Sequence, residues 1–199
     1  MSVNRKRILS LTAEHGGDWG VQHAQRLIRL VELIGEGLDY DREVIWLAAH
    51  MHDWGTFPSW SREDVTHSER SRQLAEEELR RMKCPIGVLK KVLETIEYHH
   101  GGADERCTEA TLLQDADALD GIGAIGVLRE FAMVPAEVSG CYSIPTGWGM
   151  RGAYERARIR LENNLKTLRL PKSRQLARRR AREMNRILSA FEQESFGYI

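Results

Sequence analysis

The stretch Leu47-Ala48-Ala49-His50-Met51-His52-Asp53-Trp54-Gly55 decides how the rest of this sequence is interpreted. Its apolar first half is typical of a buried helix, which is predicted to stop at a histidine followed directly by an aspartate. Gly55 is predicted to end this helix in the left-handed conformation that glycine adopts without strain. Adjacent imidazole and carboxylate groups offer a divalent cation one nitrogen and one oxygen, so further ligands must come from elsewhere in the chain.

Length and composition limit the classes of protein to which this sequence can belong. The chain has 199 residues, a length typical of one large globular domain. Its formal net charge is zero, so binding of polyanions by bulk charge is not expected. The three cysteines, Cys84, Cys107 and Cys141, have no CxxC spacing and predict a reducing compartment. No signal peptide or membrane span is recognisable, so we expect a cytoplasmic protein without a membrane partner.

Apolar residues recur at spacings of three and four between glycine and proline breaks, and no strand alternation is found. The pattern predicts an all-α, single-domain helical bundle covering residues 1–199. Its metal-site core is expected at about 18–134, with C-terminal helices over 151–195 packing on it. A short first helix is predicted to end near Gly16-Gly17, and one long helix to run from Thr108 to about Met133. The irregular stretch 135–150 is long enough for a lid or substrate loop.

Histidines and acids fall at the ends of several predicted helices. His23 and Arg26 are neighbours on one helix surface because they are three residues apart. His52-Asp53 and His99-His100 each follow an apolar helix. The next helix carries Asp115, Asp117 and Asp120 in an apolar segment, where a carboxylate is costly unless it is paired or binds a metal.

Three motifs in this order resemble the HD superfamily of metal-dependent phosphohydrolases. They are H-x-x-R at His23 to Arg26, LAAHMHDWG around His52-Asp53, and DADALDGIGAIG from Asp115. The resemblance covers nearly the whole chain and is strongest to small, stand-alone bacterial members. It implies an HD-type helical fold and four metal ligands: His23, His52, Asp53 and Asp117. Asp117 is chosen because it matches the aspartate of the family's A-D-x-L segment. Asp115 and Asp120 are expected to orient ligands or to lie on the surface, and His50 is not expected to be a ligand.

The resemblance also implies an activity. The expected protein hydrolyses a small phosphorylated substrate, most plausibly a nucleotide, with a water activated by a divalent ion. The ligand types suit Mn²⁺, Fe²⁺, Co²⁺, Ni²⁺ or Mg²⁺. The candidate catalytic residues are His99, Asp53 and Arg26. His99 would contact the phosphate or protonate the leaving oxygen, and Arg26 would either clamp phosphate or pair with a nearby acid.

Three alternatives stay open at this point. His67, His99 and His100 resemble the additional ligands of binuclear HD enzymes and would hold a second metal, although the GYP signature of cyclic-dinucleotide enzymes is absent. A hydratase of a small C–N compound such as cyanamide would use the same site on carbon. A non-catalytic nucleotide-binding module is favoured only by Ala118, where relatives commonly have a basic residue.

Other motifs receive structural interpretations first. Trp54, Phe57 and Trp60 are expected in the core more than in base stacking. The GxGxxG match at 121–126 lacks a preceding strand and is interpreted as a close helix contact. The arginine-rich C-terminal third is expected to be a solvated face or a phosphate-attracting rim, so a nucleic-acid partner is not expected. A homo-oligomer is compatible with the sequence.

Overall fold

The computed structural model describes residues 3–102, 106–133 and 149–195. Within these ranges the chain forms α-helices without β-strands, which confirms the predicted all-α fold. None of the described helices has both the length and the apolar composition needed to cross a membrane. The predicted loop at 135–150 lies almost entirely outside the described residues. In chain order the helices are α1 (Arg5–Ile34), α2 (Arg42–Met51), α3 (His67–Arg81), α4 (Ile86–Glu97), α5 (Thr108–Asp120), α6 (Ala124–Ala132), α7 (Met150–Thr167) and α8 (Pro171–Ser195).

The chain divides into two compact units, Met1–Asp117 and Ala118–Ile199, with the division falling inside α5. In the first unit α2 packs against α1 and α4, and α3 packs against α4 and a short 3₁₀ turn at Trp54–Thr56. Fully buried apolar side chains from each main helix fill this unit, including Leu27, Leu47, Leu79, Ile96 and Leu112. In the second unit α6 packs against α7 and α8.

Helix α1 is interrupted at Gly17, where the sequence predicts that a short first helix ends. It continues to Ile34 through a kink at Gly17, whose φ of 60° and ψ of −166° are not helical. A side chain at Gly16 would overlap the Phe57 ring, and one at Gly20 would lie 3.2 Å from it. The small residues around the kink therefore let α1 pass over the segment that follows α2.

The single helix predicted over Thr108–Met133 is wrong, because a turn separates α5 from α6. Gly123 in this turn has a φ of 105°, which favours glycine over any residue with a Cβ. The Asn164 amide donates to the Ala118 carbonyl at 3.0 Å and occupies the space that a side chain at Gly121 would need. The GxGxxG match is thus a close helix contact, as the sequence indicated.

Part of the basic C-terminal third is engaged in internal ion pairs. Glu130 of α6 is fully buried, and Arg156 and Arg160 of α7 donate to its carboxylate at 3.1 and 2.6 Å. Arg180 of α8 donates to the Leu119 carbonyl at 2.7 Å. The expectation of a solvated face is therefore wrong for these three arginines, whereas Arg178 and Arg182 are exposed as expected.

Candidate metal centre

Helix α2 brings the His52-Asp53 pair to its carboxyl end. The helix begins at Asp41, whose carboxylate accepts hydrogen bonds from the backbone amides of Glu43 and Val44 at 2.8 and 3.3 Å. It ends at His52, whose amide still bonds to the Ala48 carbonyl. This length places His52 and Asp53 immediately beyond the buried part of α2.

Glycine is required at position 55 for a different reason from the predicted one. Gly55 is not among the glycines with positive φ and lies in the 3₁₀ turn, so the expected left-handed cap is wrong. A side chain at Gly55 would overlap the His67 carbonyl and lie 2.9 Å from the Ser71 amide. The Gly55 amide also donates to Ser71 Oγ at 2.8 Å. Glycine at this position therefore lets the first turn of α3, which carries His67, approach the His52-Asp53 pair.

The four residues implied as metal ligands converge. His23 Nε2 lies 3.3 Å from His52 Nε2, 3.7 Å from Asp53 Oδ2 and 3.4 Å from Asp117 Oδ1, and His52 Nε2 lies 3.5 Å from Asp53 Oδ2. Ligand atoms placed about 2.0–2.2 Å from one ion are separated by roughly 3–4 Å. The ligand atoms of His23, His52 and Asp53 fit that requirement as a group, and Asp117 fits it in its distance to His23.

Charge and tautomer also fit a divalent cation. The Nδ1 atom of His52 bonds to the Ala49 carbonyl at 3.0 Å, so Nδ1 carries the proton and the Nε2 lone pair faces the cluster. Burial alone would raise the pKa of Asp53, but His52 and His23 more than offset it and the pKa falls below its ordinary value. Burial also opposes ionisation of Asp117, yet the hydrogen bond and charge of His23 hold its pKa far below normal. Two ionised carboxylates carry a formal charge that a divalent ion bound to them balances.

The cluster has a closed side and an open side. The side chains of His23 and His52 are 3% and 1% exposed, whereas those of Asp53 and Asp117 are 26% and 22% exposed. The imidazoles thus form the buried wall, and the carboxylates border the side that solvent and a ligand can reach.

A second cluster lies next to the first and contains His67, His99 and His100. His67 Nε2 is 2.7 Å from His100 Nε2, and the rings of His99 and His100 have centroids 3.9 Å apart. The His52 and His99 rings, one from each cluster, have centroids 5.0 Å apart. The structure therefore brings together all the residues implied for a binuclear site.

His99 is the most constrained member of the second cluster. It is 1% exposed, and its Nδ1 bonds to the Ile96 carbonyl at 2.5 Å. Its Nε2 is buried and has no hydrogen-bond partner among the described residues. Burial and the neighbouring His52 and His100 lower the pKa of His99 to about 3, so the ring is neutral at physiological pH. A buried Nε2 lone pair with no partner fits a metal ligand better than a proton donor.

The other candidate residues lie around these clusters. Arg26 is half-buried, and its guanidinium lies 5.0 Å from the centre of the Trp19 ring. His50 is buried outside both clusters, with Nδ1 bonded to the Trp46 carbonyl at 2.7 Å. Asp115 and Asp120 are both buried, so the surface interpretation of these acids is wrong.

Two of the three aromatic residues that follow the His-Asp pair are in the core. Trp54 is 2% exposed and donates to Thr12 Oγ1 at 3.0 Å, and Phe57 is 9% exposed. Trp60 is half-buried and packs against His15, with ring centroids 3.9 Å apart. The core interpretation is therefore confirmed for Trp54 and Phe57.

Two cavities in the first unit lie away from this centre. They have volumes of about 760 and 250 Å³, and both include Arg5 in their walls. None of the seven residues of the two clusters lines either cavity. The candidate centre is instead defined by the convergence of its side chains.

Comparisons with known proteins identify the family and the fold. The sequence model of the HD domain matches residues 20–122, and a comparison with curated proteins gave no match. Bacillus subtilis YpgQ is 23% identical with a TM-score of 0.68, covering 96% of this chain and 97% of its own; it has also been solved in complex with ADP. A protein named as a predicted HD superfamily hydrolase from an uncultured Thermotogales bacterium is 21% identical with a TM-score of 0.65, covering 96% and 93%.

An HD-superfamily hydrolase from Bacillus thuringiensis is similar to the same degree, at 22% identity and a TM-score of 0.66, with 97% of this chain and 98% of that chain covered. At these identities the three structures show a shared fold. The family match, in contrast, covers more than half of the 199 residues and includes all seven residues of the two histidine and aspartate clusters. The chain belongs to the HD domain family.

Proposed function

We propose that this protein is a divalent-metal-dependent phosphohydrolase that acts on a small phosphorylated compound, with a nucleotide as the preferred class. The observation that carries the proposal is the convergence of His23, His52, Asp53 and Asp117, with ligand atoms 3.3–3.7 Å apart in the four measured pairs. These four residues are the proposed ligands of one ion of the series Mn²⁺, Fe²⁺, Co²⁺, Ni²⁺ or Mg²⁺.

An ion held by these residues would act as a Lewis acid, which lowers the pKa of bound water and polarises a phosphoryl group. The residues of the chain supply the positioning. The buried imidazoles of His23 and His52 fix one side of the site, and the Ala49 carbonyl keeps the His52 ring oriented. The partly exposed carboxylates of Asp53 and Asp117 leave the approach side to water and substrate. Arg26, on the same helix face as His23, is the proposed phosphate contact.

We further propose that His99 is a metal ligand of the second cluster and does not act as a general acid. Its Nδ1 is used by the Ile96 carbonyl, its Nε2 has no partner among the described residues, and its ring is neutral. These three features support the binuclear alternative, in which His67 and His100 complete the second set. A second ion held by His67, His99 and His100 would supply further positive charge to stabilise phosphoryl transfer.

The choice of a nucleotide has one outside support. YpgQ of Bacillus subtilis, which shares the fold, has been solved with ADP. A nucleoside di- or triphosphate carries the adjacent phosphates that a metal centre with an arginine beside it would bind. For the present chain the substrate class remains part of the proposal.

The test is a hydrolysis assay on nucleoside mono-, di- and triphosphates and a generic phosphate ester, with Mn²⁺ or Co²⁺ added after chelator treatment. We expect release of orthophosphate or pyrophosphate in the wild type and its loss in Asp53→Asn. Asp64→Asn, an exposed aspartate outside both clusters, is the matched control and should keep full activity. Unchanged turnover in Asp53→Asn would refute the assignment.

The same samples separate the alternatives. Urea formed from cyanamide without any phosphate release would favour the hydratase. Tight nucleotide binding without turnover under every metal would favour a non-catalytic module. Metal analysis of the saturated protein distinguishes one ion per chain from two.

A further inference from the structure

Arg106 lies between the segment that carries His99-His100, at the end of α4, and helix α5, which carries Asp117. It is half-buried, and three of its nitrogens donate hydrogen bonds. Nη1 donates to the Tyr98 carbonyl at 3.0 Å, Nε donates to Thr111 Oγ1 at 3.3 Å, and Nη2 donates to Gln114 Oε1. The side chain therefore connects the end of α4 to the first half of α5.

Each of these partners is close to a proposed ligand. The Tyr98 carbonyl belongs to the peptide bond that leads into His99, and it also accepts a hydrogen bond from the Gly101 amide at 3.0 Å. Gln114, which is 5% exposed, lies three residues before Asp117 on α5 and therefore one turn away from it. One guanidinium thus links the backbone next to His99-His100 with the helical turn that holds Asp117.

The segment after His100 needs a restraint from outside itself. Gly101 and Gly102 have φ values of 102° and 118°, so the chain leaves the histidine pair through residues with little conformational restraint of their own. Metal ligands must stay within about 0.5 Å of their productive positions. A rigid contact across the two segments would supply the restraint that the glycines do not.

We propose that Arg106 is a positioning residue that fixes the His99-His100 pair relative to Asp117, and through them the geometry of the metal centre. Arginine suits this role because its planar fork presents donors in several fixed directions at once, whereas a lysine ammonium is a single point of charge. This inference rests on the proposed metal-dependent function. It assigns Arg106 to neither the metal nor the substrate.

The first experiment compares Arg106→Gln with Arg72→Gln. Arg72 is a matched control because it also links α4 to another helix, through the Glu97 carboxylate at 3.3 Å, but this contact joins two exposed side chains and not the backbone next to a proposed ligand. We expect Arg106→Gln to remain folded, to bind Co²⁺ about 10- to 100-fold more weakly, and to show an altered Co²⁺ absorption spectrum. Its kcat should fall with KM nearly unchanged. Arg72→Gln should match the wild type in all of these measurements.

Two further variants keep the test decisive. Arg106→Lys should fail to restore the wild-type Co²⁺ spectrum, because the ammonium cannot donate to Tyr98 and Gln114 in the same way. Gln114→Leu removes one end of the link and should reproduce part of the Arg106→Gln effect, and the double variant should be no worse than Arg106→Gln alone. If Arg106→Gln does not fold, the Co²⁺ affinity and spectrum of Gln114→Leu decide the question.

The outcomes distinguish this inference from the proposed function. Failure of the wild type to bind Co²⁺ or Mn²⁺ would overturn the proposed function itself. A wild type that binds metal, together with Arg106→Gln or Gln114→Leu proteins of unchanged affinity and spectrum, would overturn the role of Arg106 and leave the metal centre intact.

Discussion

The Nε2 atoms of His23 and His52 lie 3.3 Å apart although 29 positions separate the two residues in the chain. Helix α1 supplies one imidazole and the end of α2 supplies the other, and the two helices pack against each other in the first unit. The two imidazoles lie beside two carboxylates, and together they offer the nitrogen and oxygen donors that a divalent cation binds.

A first prediction concerns stability in the presence of metal. Adding Mn²⁺ to chelator-treated protein at about 100 times its Kd should stabilise the folded state by about 2.7 kcal/mol, which raises the Tm by roughly 5–10 °C. Asp117→Asn should lose most of this shift, since it removes a charged ligand, and Asp64→Asn should keep it. Differential scanning fluorimetry measures all three. An equal shift in Asp117→Asn would place the ion elsewhere.

A second prediction concerns pH. The pKa of His99 is about 3 in the folded protein, compared with an ordinary value of 6.5. Below pH 6.5 the unfolded chain therefore binds a proton at this ring that the folded chain does not bind, so stability falls as the pH is lowered from 6.5 towards 3. Above pH 6.5 the ring is neutral in both states and contributes no slope.

The measurement for this pH effect is the free energy of unfolding of the metal-free protein by urea at several pH values. His99→Asn should show a shallower loss between pH 6.5 and pH 4 than the wild type. Some slope should remain, because burial also lowers the pKa values of His50 and His100. His15→Asn, at a half-buried histidine outside both clusters, is the control. Identical slopes in His99→Asn and the wild type would contradict the buried, neutral state of His99.

A third prediction concerns Gly55. Gly55→Ala should destabilise the protein by about 1–3 kcal/mol, because the new methyl group would push the first turn of α3 away from the His-Asp pair. The displacement should also weaken metal binding through His67. Gly87→Ala is the matched control: Gly87 lies in α4 with no atom near its absent side chain, so alanine should be neutral or stabilising by up to about 1 kcal/mol. Urea unfolding distinguishes the two; equal effects would contradict the close approach.

A fourth prediction concerns the buried ion pairs of the second unit. Arg156→Ala and Arg160→Ala should each be tolerated, since the other arginine still faces Glu130. The double variant leaves a buried carboxylate without a partner and should cost about 3–5 kcal/mol, more than the sum of the single changes. Arg186→Ala, at an exposed pair with Glu183, should change stability by less than about 1 kcal/mol. If the destabilisation of the double variant equals the sum of the two single variants, Arg156 and Arg160 do not compensate for each other at Glu130.

The sequence was sufficient for the helical class and for the residues that now converge. Apolar periodicity predicts helices directly, and the four proposed ligands could be located because each belongs to a short motif of the family. His52 and Asp53 follow the end of α2, whereas His23 lies well inside α1. The break at Gly17 is predictable from two adjacent glycines, whereas the close approach of Phe57 to Gly16 and Gly20 is a tertiary feature that the sequence does not reveal. The turn at Gly121–Gly123 is absent from the prediction of one continuous helix, although the glycines at 121, 123 and 126 disfavour such a helix.

Other features could not be predicted because they depend on distant packing. Gly55 looked like a helix cap in sequence, and only the position of α3 shows that it makes room for a backbone. Arg106 belongs to no motif, and its three partners are distributed over α5 and the end of α4. Glu130 could not be distinguished from surface glutamates until α7 was placed against α6. In each case the same residue type can have several structural roles, and the residues packed against it determine which role it has.

The most direct test of the central claim is a crystal structure of the protein soaked with Mn²⁺, with anomalous diffraction recorded at the manganese edge. The account predicts an anomalous peak about 2.0–2.3 Å from Nε2 of His23 and His52 and from carboxylate oxygens of Asp53 and Asp117. A fully bound ion at any other place, with these four side chains uncoordinated, would contradict it.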